Sequence, residues 1–197
     1  MQFSELPFNT SILKAVAEER FHRPTLVQEK AIPLVLAKKN VIVSAQTGTG
    51  KTAAFALPII ELLFNKPAAE KGAKKIKSLI VTPTRELAIQ ILENFKSYSK
   101  YTDLTTTAVF GGVSLEPQKE DLAIGVDILV ATPGRLIDLQ MQGNIDLSAI
   151  EIFVLDEADL MLDMGFINDV KKIEKLTPKK KQTLLFSATI PEKIDEL

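Results

Sequence analysis

The chain has 197 residues, of which 46% are hydrophobic, and its 24 basic and 25 acidic residues nearly cancel, so no net charge indicates a polyanionic partner. It contains no cysteine and a single histidine, His22, which excludes disulfides, thiolate zinc sites, a cysteine nucleophile and histidine-based triads. No segment is long and apolar enough to span a membrane and no signal peptide is visible, so we expect a soluble, cytoplasmic protein without a membrane partner.

Short β-branched segments alternate with longer helical patterns, which predicts parallel strands joined by crossover helices. The predicted strands are 41–43, 78–82, 105–110, 127–131, 152–155 and 183–186, and apolar residues at helical spacing predict helices over 11–19, 28–36 and 84–100. Several strands are apolar throughout, which is typical of strands covered on both faces. The segment 65–77 has no periodicity and predicts a solvated loop. The chain is therefore predicted to form one doubly wound α/β domain.

The segment 45–52, Ala-Gln-Thr-Gly-Thr-Gly-Lys-Thr, places a glycine-containing turn directly after an apolar strand. Triphosphate oxygens need several converging donors, which the backbone N–H groups of a tight loop and of the first helical turn supply. Gly48 and Gly50 permit a close approach, Lys51 reaches the β and γ phosphates, and the Thr52 hydroxyl completes the coordination of Mg²⁺. The segment predicts a nucleotide phosphate site, the alternative being an ordinary connection between strand and helix.

Further polar segments follow the other predicted strands. They are 82–88, 111–112, 131–135, 156–159 and 187–189. Because ligands of parallel sheets bind beyond the carboxyl ends of the strands, we expect these segments to gather on one edge with the phosphate loop. In the pair Asp156-Glu157, Asp156 is assigned to Mg²⁺ and Glu157 to orienting and deprotonating the attacking water. Taken alone, acidic residues at this position would merely begin a helix.

These segments resemble the motifs of the first RecA-like domain of the DEAD-box ATP-dependent RNA helicases, and the resemblance covers essentially the whole chain. Residues 156–159 spell Asp-Glu-Ala-Asp, 45–52 look like motif I with Ala45 in place of Gly, and 187–189 look like motif III. The resemblance implies an α/β, RecA-like P-loop domain with a central, mostly parallel sheet and helices on both faces. Residues 1–197 then form one domain, with a Q motif region at 1–38 before a core at 39–197.

The resemblance also implies site residues. ATP is expected to contact Phe21, Thr25, Gln28, Ala45, Gln46, Thr47, Gly48, Thr49, Gly50, Lys51 and Thr52. Catalytic roles fall to Lys51, Asp156 and Glu157, and Thr52 and Asp156 hold Mg²⁺, largely through water. RNA is expected at Pro83, Thr84, Arg85, Gly112, Thr132, Gly134 and Arg135, and coupling between nucleotide and RNA at Asp159, Ser187 and Thr189.

Residues of the Q motif region are expected to select adenine. A Gln28 amide both donates and accepts, which matches the edge of adenine, and an aromatic ring such as Phe21 stacks on a base, whereas Phe3 is predicted to pack in the core. Arg20 stands where the family usually has Gly, so we expect the backbone to differ slightly there. Among bacterial members the chain looks most like the RhlE-like group, although Leu160 replaces the usual Arg.

The expected RNA contacts suit sugar and phosphate more than base edges, so binding is predicted to tolerate different sequences. The lysines at 171, 172, 175 and 179–181 are interpreted as a solvated face rather than as a second RNA site. The helical-looking run 191–197 has no stop signal, so the chain looks like a fragment whose second RecA-like domain is absent. We expect a monomer that binds nucleotide weakly and barely hydrolyses it alone. A nucleotide-dependent RNA clamp without turnover and a P-loop ATPase acting on DNA or protein are the alternatives.

Overall fold

Six parallel strands form one sheet in the order β1-β6-β5-β2-β4-β3 in the computed structural model, which describes residues 2–66 and 74–190. The strands are β1 (Val41–Ser44), β2 (Ser78–Val81), β3 (Thr106–Val109), β4 (Ile128–Ala131), β5 (Ile152–Leu155) and β6 (Gln182–Ser187). The helices are α1 (Thr10–Glu18), α2 (Leu26–Leu36), α3 (Lys51–Phe64), α4 (Arg85–Tyr98), α5 (Glu116–Ile124), α6 (Pro133–Met141), α7 (Ala158–Asp163) and α8 (Ile167–Leu176), after a short 3₁₀ turn at Phe3–Glu5.

The strands that read as apolar throughout are buried on both faces. Every residue of β2, β4 and β5 is buried, whereas β1 alternates between exposed and half-buried positions because it lies at the edge of the sheet. The predicted parallel α/β sheet is confirmed. The predicted loop 65–77 lies partly outside the described residues, and the helical-looking run 191–197 lies wholly outside them.

Helices cover the sheet on both faces, each over its own apolar layer. On one face the ring of Phe55 in α3 packs against Phe95 of α4 and edge-on against Phe186 of β6, with ring centroids 6.3 and 5.1 Å apart. On the other face Phe153 lies in a layer that includes Ile173 of α8. Phe3 is buried in the first layer, as predicted for a core residue.

The strand order places the predicted motifs in two groups along the carboxyl edge of the sheet, which form its two halves. The strands β1, β6 and β5 are neighbours and are followed by the phosphate loop, the 187–189 segment and the 156–159 segment. The strands β2, β4 and β3 are also neighbours and precede the segments expected to contact RNA. Since β5 pairs with β2, the two halves meet in the middle of the sheet, with Val154 and Ile80 in register.

No helix among residues 2–66 and 74–190 is long and apolar enough to cross a membrane.

Arg20, the residue that replaces the usual glycine, ends helix α1 in the left-handed conformation that glycine favours, with φ of 59°. Its N–H donates to the Ala17 carbonyl and that of Phe21 to the Val16 carbonyl, which closes the helix. Arg20 therefore adopts a backbone conformation that glycine takes up most readily.

Arg20→Gly is expected to stabilise the domain by about 0.5–1 kcal/mol. The change removes the steric strain of a left-handed non-glycine residue, and this gain exceeds the loss that arises because glycine raises the backbone entropy of the unfolded chain. Urea unfolding of both proteins measures this difference. Arg23→Gly, near by but without a positive φ, is the control and should not raise stability.

Candidate functional site

The loop between β1 and α3 turns tightly before the first turn of a helix. The Thr49 hydroxyl donates to the Gln46 carbonyl over 2.7 Å, and Gly48 and Gly50 have φ of 83° and 85°. A Cβ on Gly50 would lie 2.4 Å from Nε2 of Gln28, so only glycine fits there. The helix that follows, α3, begins at Lys51, so its N-terminal N–H groups and positive dipole end lie at this loop.

Residues of the Q motif region hold this loop from the side. The Thr25 hydroxyl donates to the Thr49 carbonyl over 2.8 Å, and Nε2 of Gln28 donates to the Gly50 carbonyl over 3.1 Å. Oε1 of Gln28 accepts from the Thr25 N–H over 2.9 Å, and only 4% of this residue is exposed. Gln28 therefore contributes to the shape of the phosphate loop, and one N–H and one lone pair of its amide remain for another partner.

Lys51 and Glu157 form an ion pair inside the site. Nζ of Lys51 lies 3.1 Å from Oε1 of Glu157, and the two side chains are 6% and 14% exposed. Glu157 has φ of 54°, a left-handed conformation that is costly for a non-glycine residue and is typical of functional positions. A phosphate that binds Lys51 must compete with this carboxylate.

Asp156 lies beside this pair as a buried carboxylate that is only partly satisfied. Its residue is 4% exposed and its Oδ1 has no hydrogen-bond partner among the described residues. Burial, and then the neighbouring Glu157 carboxylate, raise the pKa of Asp156 to about 7. An unpaired carboxylate oxygen fits a divalent cation, which would replace the missing partner and restore the ionised form.

The described residues contain no cluster of three or more His, Asp or Glu side chains that could hold a metal by themselves. This agrees with the way Mg²⁺ is usually held, by one or two protein oxygens together with substrate phosphates and water. Asp156 and Thr52 line the same cleft and supply a carboxylate and a hydroxyl, so the residues present fit Mg²⁺.

A cleft of about 370 Å³ brings most of the predicted nucleotide residues together. Its lining includes Phe21, Thr25, Gln28, Thr47, Gly48, Gly50, Lys51, Thr52, Asp156 and Glu157. Ala45, Gln46 and Thr49 do not line it. Ala45 and Thr49 instead line a neighbouring groove of about 650 Å³ beside the edge strand β1.

Helix α4 supplies a wall of the cleft that the motifs did not indicate. Its side chains there are Leu87, Gln90, Ile91, Asn94 and Tyr98, and Arg23 joins them from the Q motif region. Gln90 and Asn94 are four residues apart on one helical face, next to the apolar stripe of α4. That spacing places both residues on one face of α4, but nothing in it shows that this face lines the cleft.

Phe21 lines the cleft and also packs on other aromatic rings. Its ring stacks on Phe3 with centroids 5.7 Å apart and lies tilted against Tyr98 at 5.9 Å. The side chain remains half-buried. Phe21 is therefore supported by the core and borders the space in which a base would lie.

Asp159 joins the 156–159 segment to the 187–189 segment. Its N–H donates to the Ser187 hydroxyl over 3.0 Å, and its Oδ2 accepts from the N–H and hydroxyl of Thr189 over 3.0 and 3.1 Å. Burial acts to raise the pKa of Asp159, but hydrogen bonds with Ser187 and Thr189 outweigh it and lower the pKa. The three residues expected to couple the two halves are thus in direct contact.

Replacing Asp159 by Ala is expected to destabilise the domain by about 0.5–1.5 kcal/mol, because the exposed Thr189 N–H and hydroxyl lose a charged acceptor but can bind water instead. Urea unfolding measures the loss, and amide hydrogen exchange at Thr189 reports where it occurs. Thr189→Val removes only the hydroxyl and should cost less. An unchanged exchange rate at Thr189 in Asp159→Ala would contradict the role given to this contact.

The residues expected to contact RNA lie at the ends of β2, β3 and β4. Thr84 caps α4 by accepting from the Leu87 N–H over 3.3 Å, and the Arg85 guanidinium lies 5.5 Å from the centre of the Phe110 ring. Nη2 of Arg135 donates to the Val113 carbonyl over 3.0 Å, while its Nη1 is buried and has no hydrogen-bond partner within residues 2–66 and 74–190. Pro83 and Gly112 lie in these turns, whereas Thr132 is the N-cap of α6 and Gly134 lies in its first turn.

The lysines interpreted as a solvated face do not all behave alike. The side chain of Lys181 is 4% exposed, and its ammonium donates to Glu174 and to the Pro178 carbonyl over 2.8 and 3.0 Å. Lys172, Lys175, Lys179 and Lys180 are exposed. The interpretation was wrong for Lys181, because a run of lysines does not show which side chain packs away from solvent.

A protein-family model described as DEAD/DEAH box helicase matches residues 25–197. The chain belongs to the DEAD/DEAH box helicase family. Over 195 residues it is 46% identical to the DEAD-box ATP-dependent RNA helicase RhpA of Helicobacter pylori, covering 99% of this chain and 38% of that protein. It is 45% identical to the ATP-dependent RNA helicase SrmB of Escherichia coli, covering 95% of this chain and 42% of that protein. The chain thus spans about two fifths of these DEAD-box relatives.

Solved structures of similar proteins have the same fold. A DEAD box protein from the hyperthermophile Methanococcus jannaschii superposes with a TM-score of 0.91 at 42% identity, covering 100% of this chain and 52% of that one. A hypothetical ATP-dependent RNA helicase from Sulfolobus tokodaii gives a TM-score of 0.87 at 48% identity, covering 96% of this chain and 53% of that one. The expected RecA-like fold is therefore confirmed by structures of this family.

Proposed function

We propose that this chain is the ATP-binding and RNA-binding amino-terminal domain of an ATP-dependent RNA helicase, which hydrolyses ATP to remodel or locally unwind RNA duplexes. The observation that carries the proposal is the buried group of Lys51, Asp156 and Glu157 in one cleft with the glycine loop. These groups supply the cation, the metal ligand and the base that phosphoryl transfer needs.

ATP enters the cleft with its phosphates against the loop N–H groups and the start of α3. Lys51 leaves Glu157 and binds the β and γ phosphates, so that Glu157 becomes free to orient and deprotonate water. Asp156 and Thr52, which line the same cleft, would hold Mg²⁺, and the metal would supply positive charge that offsets the charge of the phosphates. Gln28 has one donor and one acceptor left for adenine, and Phe21 borders the base.

RNA lies along the other half of the same edge, against Thr84, Arg85, Gly112 and Arg135. These groups suit the sugar-phosphate backbone, so we expect binding that tolerates different sequences. Asp159 makes hydrogen bonds with Ser187 and Thr189, and by these contacts the bound nucleotide changes the affinity for RNA.

A second RecA-like domain, supplied by a longer protein, would complete both sites. Such a domain supplies arginines to the γ phosphate and the other side of the RNA cleft. We also propose that the protein acts as a cytoplasmic monomer, and that its nearest group among bacterial members is the RhlE-like one.

The function is tested by titrating this chain with fluorescent ATP and displacing it with unlabelled ATP or GTP, with and without Mg²⁺. We expect ATP to compete better than GTP by about tenfold or more, because a good bidentate base contact is worth about 1–3 kcal/mol. In a longer protein, RNA should stimulate ATP hydrolysis more than DNA of equal length. Equal stimulation by DNA and RNA would instead favour a P-loop ATPase acting on DNA.

A further inference from the structure

Gln118 is a buried amide on the helix that follows the Gly111-Gly112 turn. The residue is 7% exposed. Its Oε1 accepts from the Phe110 N–H over 3.1 Å, while its Nε2 donates to the Phe110 carbonyl over 3.1 Å and to the Ser114 carbonyl over 3.5 Å. One side chain thus satisfies both backbone groups of Phe110, where strand β3 has just ended, and reaches the far side of the turn as well.

The turn held in this way, residues 110–114, also joins the two arginines expected to bind RNA. The guanidinium of Arg85, which begins α4, lies over the Phe110 ring at 5.5 Å from its centroid, and Arg135 of α6 donates to the Val113 carbonyl. Gly112 has φ of 78°, and a Cβ built on it would lie 3.9 Å from the Arg85 guanidinium. Three protein segments expected to bind RNA therefore meet at one short turn, and the position of this turn depends on the amide of Gln118.

We propose that Gln118 is a positioning residue for RNA binding, which holds the 110–114 turn so that Gly112, Arg85 and Arg135 face one RNA backbone. This inference rests on the proposed function of the same edge. Gln118 does not touch RNA itself, because its amide is buried and directed at the turn. Without it the turn must be ordered at the moment RNA binds, which lowers affinity.

The residue type follows from the two kinds of contact. The Phe110 N–H needs an acceptor and the Phe110 and Ser114 carbonyls need donors, and only an amide side chain of this length offers both without charge. Gln118→Met keeps the length and loses all three contacts. Gln118→Glu keeps the acceptor and, while ionised, places a negative charge against two carbonyl oxygens.

A matched control is available on the same helix. The Thr107 hydroxyl of β3 donates to Asp121 of α5 over 3.3 Å, one helical turn beyond Gln118 and away from the 110–114 turn. Thr107→Val removes this contact between strand and helix without changing the turn.

The experiment measures the affinity of this chain for a fluorescently labelled single-stranded RNA and for a fluorescent ATP analogue, together with urea unfolding. Amide NMR signals of Gly111 and Gly112 report the turn directly. We expect Gln118→Met and Gln118→Glu to weaken RNA binding roughly tenfold and to shift both glycine signals, as expected for loss of hydrogen bonds worth about a factor of ten in all. ATP affinity should stay within about twofold, and Thr107→Val should keep RNA affinity and both glycine signals.

The inference is overturned if Gln118→Met binds RNA as tightly as the unmodified chain. It is also overturned if the loss of RNA affinity in Gln118→Met and Gln118→Glu is explained by the fraction of each variant that is unfolded, as measured by urea unfolding. If the proposed function itself is incorrect, the result is different, because the unmodified chain would then show no RNA binding. In that case the RNA role of Gln118 falls with it, whatever the glycine signals show.

Discussion

Glu157→Gln is expected to lower ATP turnover by roughly 100-fold to 10,000-fold in a longer protein that carries this domain, because the site loses its general base. The same change should leave ATP binding intact or strengthen it. Nζ of Lys51 lies 3.1 Å from the Glu157 carboxylate, and a neutral amide would hold the lysine less firmly, which would leave it freer to bind phosphate. ATP turnover is therefore expected to fall while ATP affinity stays the same or rises.

Steady-state hydrolysis in the longer protein and ATP binding by this chain measure the two effects separately. Glu151→Gln is the matched control, since this carboxylate also pairs with lysines, Lys66 and Lys77, but lies at the start of β5 and away from the cleft. Turnover that survives in Glu157→Gln would contradict the role of Glu157 as base. Absence of turnover in the unmodified longer protein would favour a nucleotide-dependent RNA clamp.

Asp156→Asn is expected to stabilise the metal-free domain, and more so at pH 8 than at pH 4. The pKa of Asp156 is raised from an ordinary 3.8 to about 7 by burial and by Glu157. Between the unfolded pKa of 3.8 and the folded pKa of about 7, the folded state holds a proton that the unfolded state has lost, so the contribution of this residue to stability falls as pH rises through this window. The neutral asparagine avoids this cost, which is on the order of a few kcal/mol once the pH exceeds about 7.

Urea unfolding of both proteins at several pH values, in a chelator, measures this difference. Asp146→Asn is a control of opposite sign, because hydrogen bonds to Ser148 lower the pKa of Asp146, so its contribution is lost as pH falls. With Mg²⁺ present, Asp156→Asn should lose most of the gain in ATP affinity that the metal gives. A stability difference that does not vary with pH, or an unchanged Mg²⁺ effect, would contradict the account of Asp156.

The architecture could be predicted well from the sequence, because strands buried on both faces leave a strong signal. The segments 78–81 and 152–155 are apolar at each position or nearly so, and both are strands at those residues. The gathering of polar segments at one edge follows from parallel strands alone, and the sheet places them there. The edge strand β1 was recognisable because it precedes a glycine loop.

Contacts between distant side chains could not be predicted in this way. The pair Lys51–Glu157 joins residues 106 positions apart, and nothing local in the sequence distinguishes it from two separate site residues. The wall of Gln90 and Asn94 depends on which face of α4 turns toward the cleft, and the role of Gln118 depends on the path of the turn before it. Such features are set by packing across the sheet, which periodicity does not encode.

The cleft lies at the carboxyl edge of the sheet. Under the proposed function, a second RecA-like domain would close it over the γ phosphate and over RNA. An arginine supplied from another domain contributes about 10³–10⁵ in turnover in related chemistry. We therefore expect this chain alone to bind nucleotide weakly and to hydrolyse it barely.

Nucleotide-dependent RNA binding, measured side by side on this chain and on a longer protein with a second RecA-like domain, tests the central claim most directly. An ATP analogue that is not hydrolysed should tighten RNA binding strongly in the longer protein and little in this chain. Equal RNA affinity with and without the analogue in the longer protein would contradict the claim that this edge couples ATP to RNA.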